Sequence, residues 1–243
     1  MAKTTNHPAF GRLVPDDLGE DLMCFRKFSS MEIFWHPDSK KQLQDLEPKH
    51  RDLVKKWEQQ PGELPQICRN FDVLAALQSL GVYEVGVSQS EEKEAAIPSP
   101  AQVTAWEIFI ANEKEICERI CDAILRYYLN LRKTEPQWFE EEDDCPASPE
   151  SIEDLTSCIR FDGMNLSPET IPGLSSISFG WEVDWDMEHG LQMILHEGQP
   201  IAIGNDLYSP EDILTEANFQ REIFTEEEQA AYQNFANLVE TSH

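Results

Sequence analysis

The sequence predicts an α+β fold: an antiparallel sheet built from N- and C-terminal β-meanders, packed on a long central helix, with additional short helices. Three observations predict it. Short alternating runs at hairpin spacing occur near both ends of the chain, and a broad apolar stripe runs between them from Pro100 to Arg132. Hydrophobic residues make up 40% of the 243, which is ample for a real core. The expected organisation is a single domain over 1–243, with a C-terminal helical extension over 209–243. A subdomain hinge near 140–150 is the alternative.

The first meander starts with Phe10-Gly11-Arg12-Leu13-Val14, followed by turn chemistry at Pro15-Asp16-Asp17. Leu22 to Phe28 and Met31 to Trp35 read as two further strands separated only by Ser29-Ser30. Leu46, Leu53, Val54 and Trp57 recur at helical spacing among Lys49, Arg51, Lys55 and Lys56, the one basic cluster of the sequence. Asn70 to Leu80 predicts a short helix closed by Gly81, and Tyr83 to Val87 alternates like a strand.

Ser99-Pro100-Ala101-Gln102 is the clearest helix start: Ser as N-cap, Pro at the first position and Gln closing a capping box. The apolar stripe then predicts one helix to about Arg132, with Cys117 and Cys121 on its buried side. Five consecutive acids, Glu140, Glu141, Glu142, Asp143 and Asp144, predict a solvated loop and a candidate partner-binding segment. Ser148 to Arg160 predicts a short helix. The second meander follows as Ile177–Trp181, Leu191–His196 and Ile201–Gly204, and Ser209-Pro210 and Thr225 to Glu228 open two terminal helices.

Charge sets the function classes. With 19 basic and 46 acidic side chains the net charge is −27, and it is unevenly placed. Residues 1–90 carry 11 basic and 13 acidic side chains; residues 91–243 carry 8 and 33. Nucleic acid and anionic membranes are therefore not expected partners, because both need clustered Lys and Arg. No stretch is apolar enough for a membrane span, the N-terminus lacks an apolar signal-peptide core, and six scattered cysteines are no disulfide scaffold. A soluble cytoplasmic protein is expected, with a basic protein as its partner. Oligomeric state stays open.

The densest polar cluster is Trp181 to Gly190. Were it extended through Glu188, then Trp181, Val183, Trp185 and Met187 would face the core. Glu182, Asp184, Asp186 and Glu188 would then line the other face, roughly 6–7 Å apart. Asp184, Asp186, Glu188 and His189 are accordingly the candidate ligands of a divalent cation, and a metal-dependent hydrolase is the alternative function. The other conformation is a turn, with Gly190 at positive φ and Asp186 or His189 bonding the backbone; Trp185 and Gly190 then carry the structure. An EF-hand is excluded, since its sixth and twelfth positions counted from Asp184 are His189 and Leu195. HExxH, GxSxG and Gly-rich phosphate loops are absent, so no catalytic residue is assigned and no cofactor is expected.

The run Trp185-Asp186-x-Glu188-His189-Gly190-Leu191 before a hairpin ending Ile203-Gly204 resembles an uncharacterised bacterial domain family. Gln102 at the helix entry, Tyr127-Tyr128 near the helix end and the opening Phe10-Gly11-Arg12-Leu13 are similar too; Gln192 stands where a second Gly is expected. The resemblance implies an α+β fold and no established activity. By analogy alone, domains of this kind resemble small acidic immunity proteins that neutralise partner toxins. Mimicry of nucleic acid by rows of carboxylates is a third reading.

Overall fold

The computed structural model describes residues 5–15, 21–34, 77–78, 80–89, 97–139, 145–169, 171–207, 209–219 and 222–242, with single positions at 48, 52 and 55. Its fold is mixed α+β, centred on one eight-stranded sheet whose spatial order follows the sequence. The strands are β1 (Thr5–His7), β2 (Gly11–Pro15), β3 (Leu22–Lys27), β4 (Val82–Val87), β5 (Ile159–Leu166), β6 (Ile177–Val183), β7 (Leu191–His196) and β8 (Gln199–Gly204). The two meanders do join into one sheet, but the junction is a parallel pairing of β4 with β5 (Val85 opposite Met164, Val87 opposite Leu166). A purely antiparallel sheet was expected. The long helical connection between β4 and β5 returns the chain in the same direction, which a tight hairpin does not do.

That connection carries helices α1 (Pro100–Ala111) and α2 (Glu113–Thr134). The single helix expected to Arg132 is interrupted at Asn112, which leaves the helical region (φ −126°, ψ 24°) and donates from its side-chain amide to Ile108 O. Asn competes for backbone hydrogen bonds in this way, so it tends to end helices. The capping box at the start of α1 is formed: Gln102 N–H donates to Ser99 Oγ, and Ser99 N–H donates to Gln102 Oε1. Gln102 does more than cap. Its buried Nε2 donates to Ser88 O (2.7 Å), at the end of β4, and to Ser167 O (3.0 Å), just past β5. One side chain therefore fixes the helix start onto both strands of the parallel junction.

One sheet face is apolar. Leu22, Cys24, Val85, Val87, Phe161, Phe179, Trp181 and Met193 are all buried on it. Trp106 and Phe109 of α1 and Ile116, Ile120 and Ile124 of α2 belong to the same core. Trp106 stacks on Phe10 and donates its indole N–H to Ala9 O. The other face is buried only under β7 and β8, where α3 (Pro210–Phe219) and α4 (Glu226–Thr241) pack on β8. Over β3 to β6 no described element covers it, and Glu84 and Asp162 are exposed there.

Two expected elements differ, and two strands were not foreseen. Met31 to Trp35 was expected as a strand, but Ser29–Phe34 is a 3-10 helix, because Phe28, Met31 and Phe34 are buried every third residue rather than alternately. The helix expected over 148–160 shrinks to the turn Ile152–Leu155, and β5 takes its end. β5 escapes sequence reading because Asp162 is a bulge: Phe161 pairs with Trp181 and Gly163 with Gly180, so the inside-outside alternation slips by one. The polar edge strand β1 also carries no hydrophobic signal. Of the basic cluster, Lys49, Arg51 and Lys56 lie outside the described residues, and Lys55 is helical and exposed.

Candidate functional site

Asp184 to Gly190 is a compact turn, not a continuation of β6, which ends at Val183. Asp186 N–H donates to Val183 O, and Gly190 N–H donates to Asp186 O at 2.9 Å. The Asp186 side chain closes the turn from inside. Its Oδ1 accepts from His189 N–H (3.1 Å) and from the His189 ring at Nδ1 (2.9 Å), while Oδ2 accepts from Asn205 Nδ2 (3.2 Å). Gly190 has φ +70°, and an added Cβ would sit 2.7 Å from Trp181 O, so conformation and space both demand glycine. Trp185 anchors the turn from below, buried edge-to-face on Tyr128 (5.0 Å between centroids) beside Phe139.

The expected row of carboxylates is thus folded up. Trp181, Val183 and Trp185 are buried as the extended reading required, but Met187 is 86% exposed at the tip of the turn. Asp184 donates nothing to a shared cation cage; its Oδ1 accepts from Arg160 Nη2 (2.7 Å), and Glu182 Oε2 accepts from Arg160 Nε (3.2 Å). Among the described residues no group of three or more His, Cys, Asp or Glu side chains is arranged to hold a metal ion. Both Asp186 oxygens are already engaged, which leaves a cation to compete with Asn205 and His189. Arg160 was missed at the sequence level. The available signal was its isolation, since no other Lys or Arg occurs between Lys133 and Arg221.

Hydrogen bonding to Asp186, and the charge of that carboxylate, raise the pKa of His189 above its ordinary 6.5. A raised folded-state value means that this contact stabilises the turn fully below pH 6.5 and is lost as pH rises through the folded pKa. In a 2D NMR titration the His189 ring should titrate above 6.5 in the native protein and return towards 6.5 in Asp186→Asn. Identical titration in both would show that the contact does not form in solution.

The open sheet face adjoins this turn. Gly86, Gly163 and Gly180 floor a trough of about 450 Å³, bordered by Asp21, Glu84 and Asp162. A groove of about 440 Å³ beneath the turn shares Asp162 and Gly180 with it and is lined by Arg160, Glu182, Asp186, Met187 and Glu188. Gly86 keeps the floor low: a Cβ there would strike Asn165 Oδ1 at 2.5 Å. Asp162, on the bulge, has its pKa raised by desolvation and then by the neighbouring charge of Glu182. The segment Glu140 to Asp144 lies outside the described residues.

Buried thiols fill core positions. Desolvation pushes Cys24 and Cys121 up to about 12, which makes them poor nucleophiles. No helix among the described residues is long and apolar enough to cross a membrane.

A family model described as a domain of unknown function, DUF6985, matches residues 75–209. The match takes in β4 to β8, α1, α2 and the turn, and leaves out the Phe10–Leu13 run on which the resemblance also drew. No curated protein matches, and neither does any solved structure.

Proposed function

The chain belongs to the DUF6985 family, and from that premise we propose that it is a non-enzymatic binding protein of the cytoplasm. It engages a basic protein partner through the turn 184–190 and the acidic trough beside it. The observation that carries this reading is Met187, held 86% exposed between Asp186 and Glu188 on a turn pinned by Trp185, Asp186 and Gly190. A polarisable apolar side chain on a pinned turn, beside Glu188 and above a groove that Glu182 and Asp162 line, suits a surface that is both apolar and cationic. Asp162 adds to it: a Lys or Arg entering the trough would relieve the repulsion between Asp162 and Glu182. Neutralising a basic toxin, as immunity proteins do, is one form such an engagement would take. None of the five described cysteines is in a disulfide, in keeping with a reducing compartment.

Affinity capture from native lysate tests the proposal. The wild-type protein should recover a basic partner at low ionic strength and progressively less as salt rises. Met187→Ala with Glu188→Gln should cut recovery at least tenfold with the fold unchanged. Recovery of no basic protein at any salt, or equal recovery by the variant, would overturn it.

A further inference from the structure

The acidic trough does not extend across the whole open face. Where the sheet passes under α3 and α4 there is an adjoining cavity of about 360 Å³, which shares Ser178 with the trough and Gln192 with the groove beneath the turn, and none of its described lining residues is charged. In a chain of net charge −27 this is a local reversal. The cavity has two kinds of wall. Ile194, Leu207, Ile213 and Phe235, all buried, form an apolar end. Ser178 of β6 and Gln192 of β7 form a polar end; they sit on one sheet face, one register step apart, since Ser178 pairs with Ile194 and Gly180 with Gln192.

The hydrogen-bond state of that polar end is informative. Gln192 Oε1 accepts from Leu207 N–H at 2.9 Å, which fixes the amide and leaves its Nε2 free of any partner among the described residues. The Ser178 hydroxyl likewise has none there. Both are half-buried, and both can donate. Other serines of the lining are already satisfied: Ser176 Oγ bonds Ser167 Oγ, and Ser209 Oγ donates to Asp212. The unused hydrogen-bonding capacity of these residues is thus concentrated in two donors beside an apolar end, within a volume suited to a small ligand.

We propose that this cavity is a binding site for a small uncharged molecule with an apolar body and a carbonyl or amide oxygen, held by Ser178 Oγ and Gln192 Nε2. The apolar body lies against Ile194, Ile213 and Phe235. A carboxylate is disfavoured because no cation is among the described lining residues and the protein as a whole is strongly acidic. A cation is disfavoured because no carboxylate is among the described lining residues and a desolvated charge would go unpaired. Gln192 also lines the groove beneath the turn, so the site adjoins the protein-binding surface around Met187.

A matched set of probes tests this: 4-phenylbutanamide, 4-phenylbutanoate and 4-phenylbutylamine, with binding followed by protein-observed NMR. The amide should bind with a dissociation constant of about millimolar or tighter, at least tenfold better than either charged analogue. It should shift the Gln192 side-chain NH₂ resonances. Gln192→Glu keeps the acceptor for Leu207 N–H but removes the donor, and should weaken the amide about tenfold. Ser178→Phe should fill the cavity and abolish binding. The proposal is overturned if no probe binds, if the amine binds as well as the amide, or if the amide binds without moving the Gln192 NH₂ signals. Equal amide affinity in folded Gln192→Glu and Ser178→Phe proteins also overturns it. The NMR readout on wild-type protein decides the matter even where a variant fails to fold.

Discussion

Trp185→Ala should destabilise the protein by about 3–5 kcal/mol and abolish partner recovery at the turn. The indole is 6% exposed and meets Tyr128 edge-to-face at 5.0 Å and Phe139 at 6.4 Å. Tyr128 is itself held, donating its hydroxyl to Pro146 O at 2.6 Å and accepting from Arg132 Nε. The Arg132 guanidinium covers Phe139 at 3.9 Å and donates to Cys145 O. Deleting the indole would leave a cavity at the centre of this group, and the rigid floor under Met187 would go with it. Urea unfolding followed by circular dichroism measures the first effect and affinity capture the second. Trp185→Phe should recover most of the stability. A loss below about 1 kcal/mol for the alanine variant would show that the aromatic group does not anchor the turn.

Arg126→Ala should cost about 3–5 kcal/mol, for a different reason. Glu228 at the third position of α4 is almost completely buried, and its two oxygens accept from Arg126 Nη2 at 2.6 and 2.7 Å. Glu228 Oε2 also accepts from Thr225 N–H, so the residue is at once helix cap and ion-pair partner. Arg126 Nε donates to Ile223 O, binding the chain that leads into α4. Truncating the arginine strands a buried carboxylate and a carbonyl together, whereas removing both charges in Arg126→Met/Glu228→Gln leaves no uncompensated charge. The double variant should therefore be more stable than Arg126→Ala alone by at least 1 kcal/mol in urea unfolding. The reverse order would show that α4 is held by its apolar face alone.

What the sequence made legible was what local chemistry dictates. Ser99 with Gln102 and Thr225 with Glu228 marked two helix starts, and both capping boxes form. The alternation in β6 to β8 placed the second meander. What escaped was set by tertiary structure. The Asp162 bulge erased the period of β5, and Asn112 divided a stripe that reads as continuous. At the turn the sequence left two conformations open. Trp181, Val183 and Trp185 argued for extension, and Asp186 and Gly190 for a turn; the turn forms because one glycine must take φ +70° against Trp181 O. No local pattern could reveal that Arg160, more than twenty residues away, occupies Asp184 and Glu182.

The central claim is that the surface around Met187 binds a basic protein. Its most direct test places a photoreactive amino acid at position 187, irradiates the protein in native lysate and identifies the adduct by mass spectrometry. The account predicts one dominant adduct with a basic protein, lost at high salt and absent when the photoreactive group is moved to exposed Leu129 on α2. No adduct at position 187, or the same adducts from both positions, would contradict it.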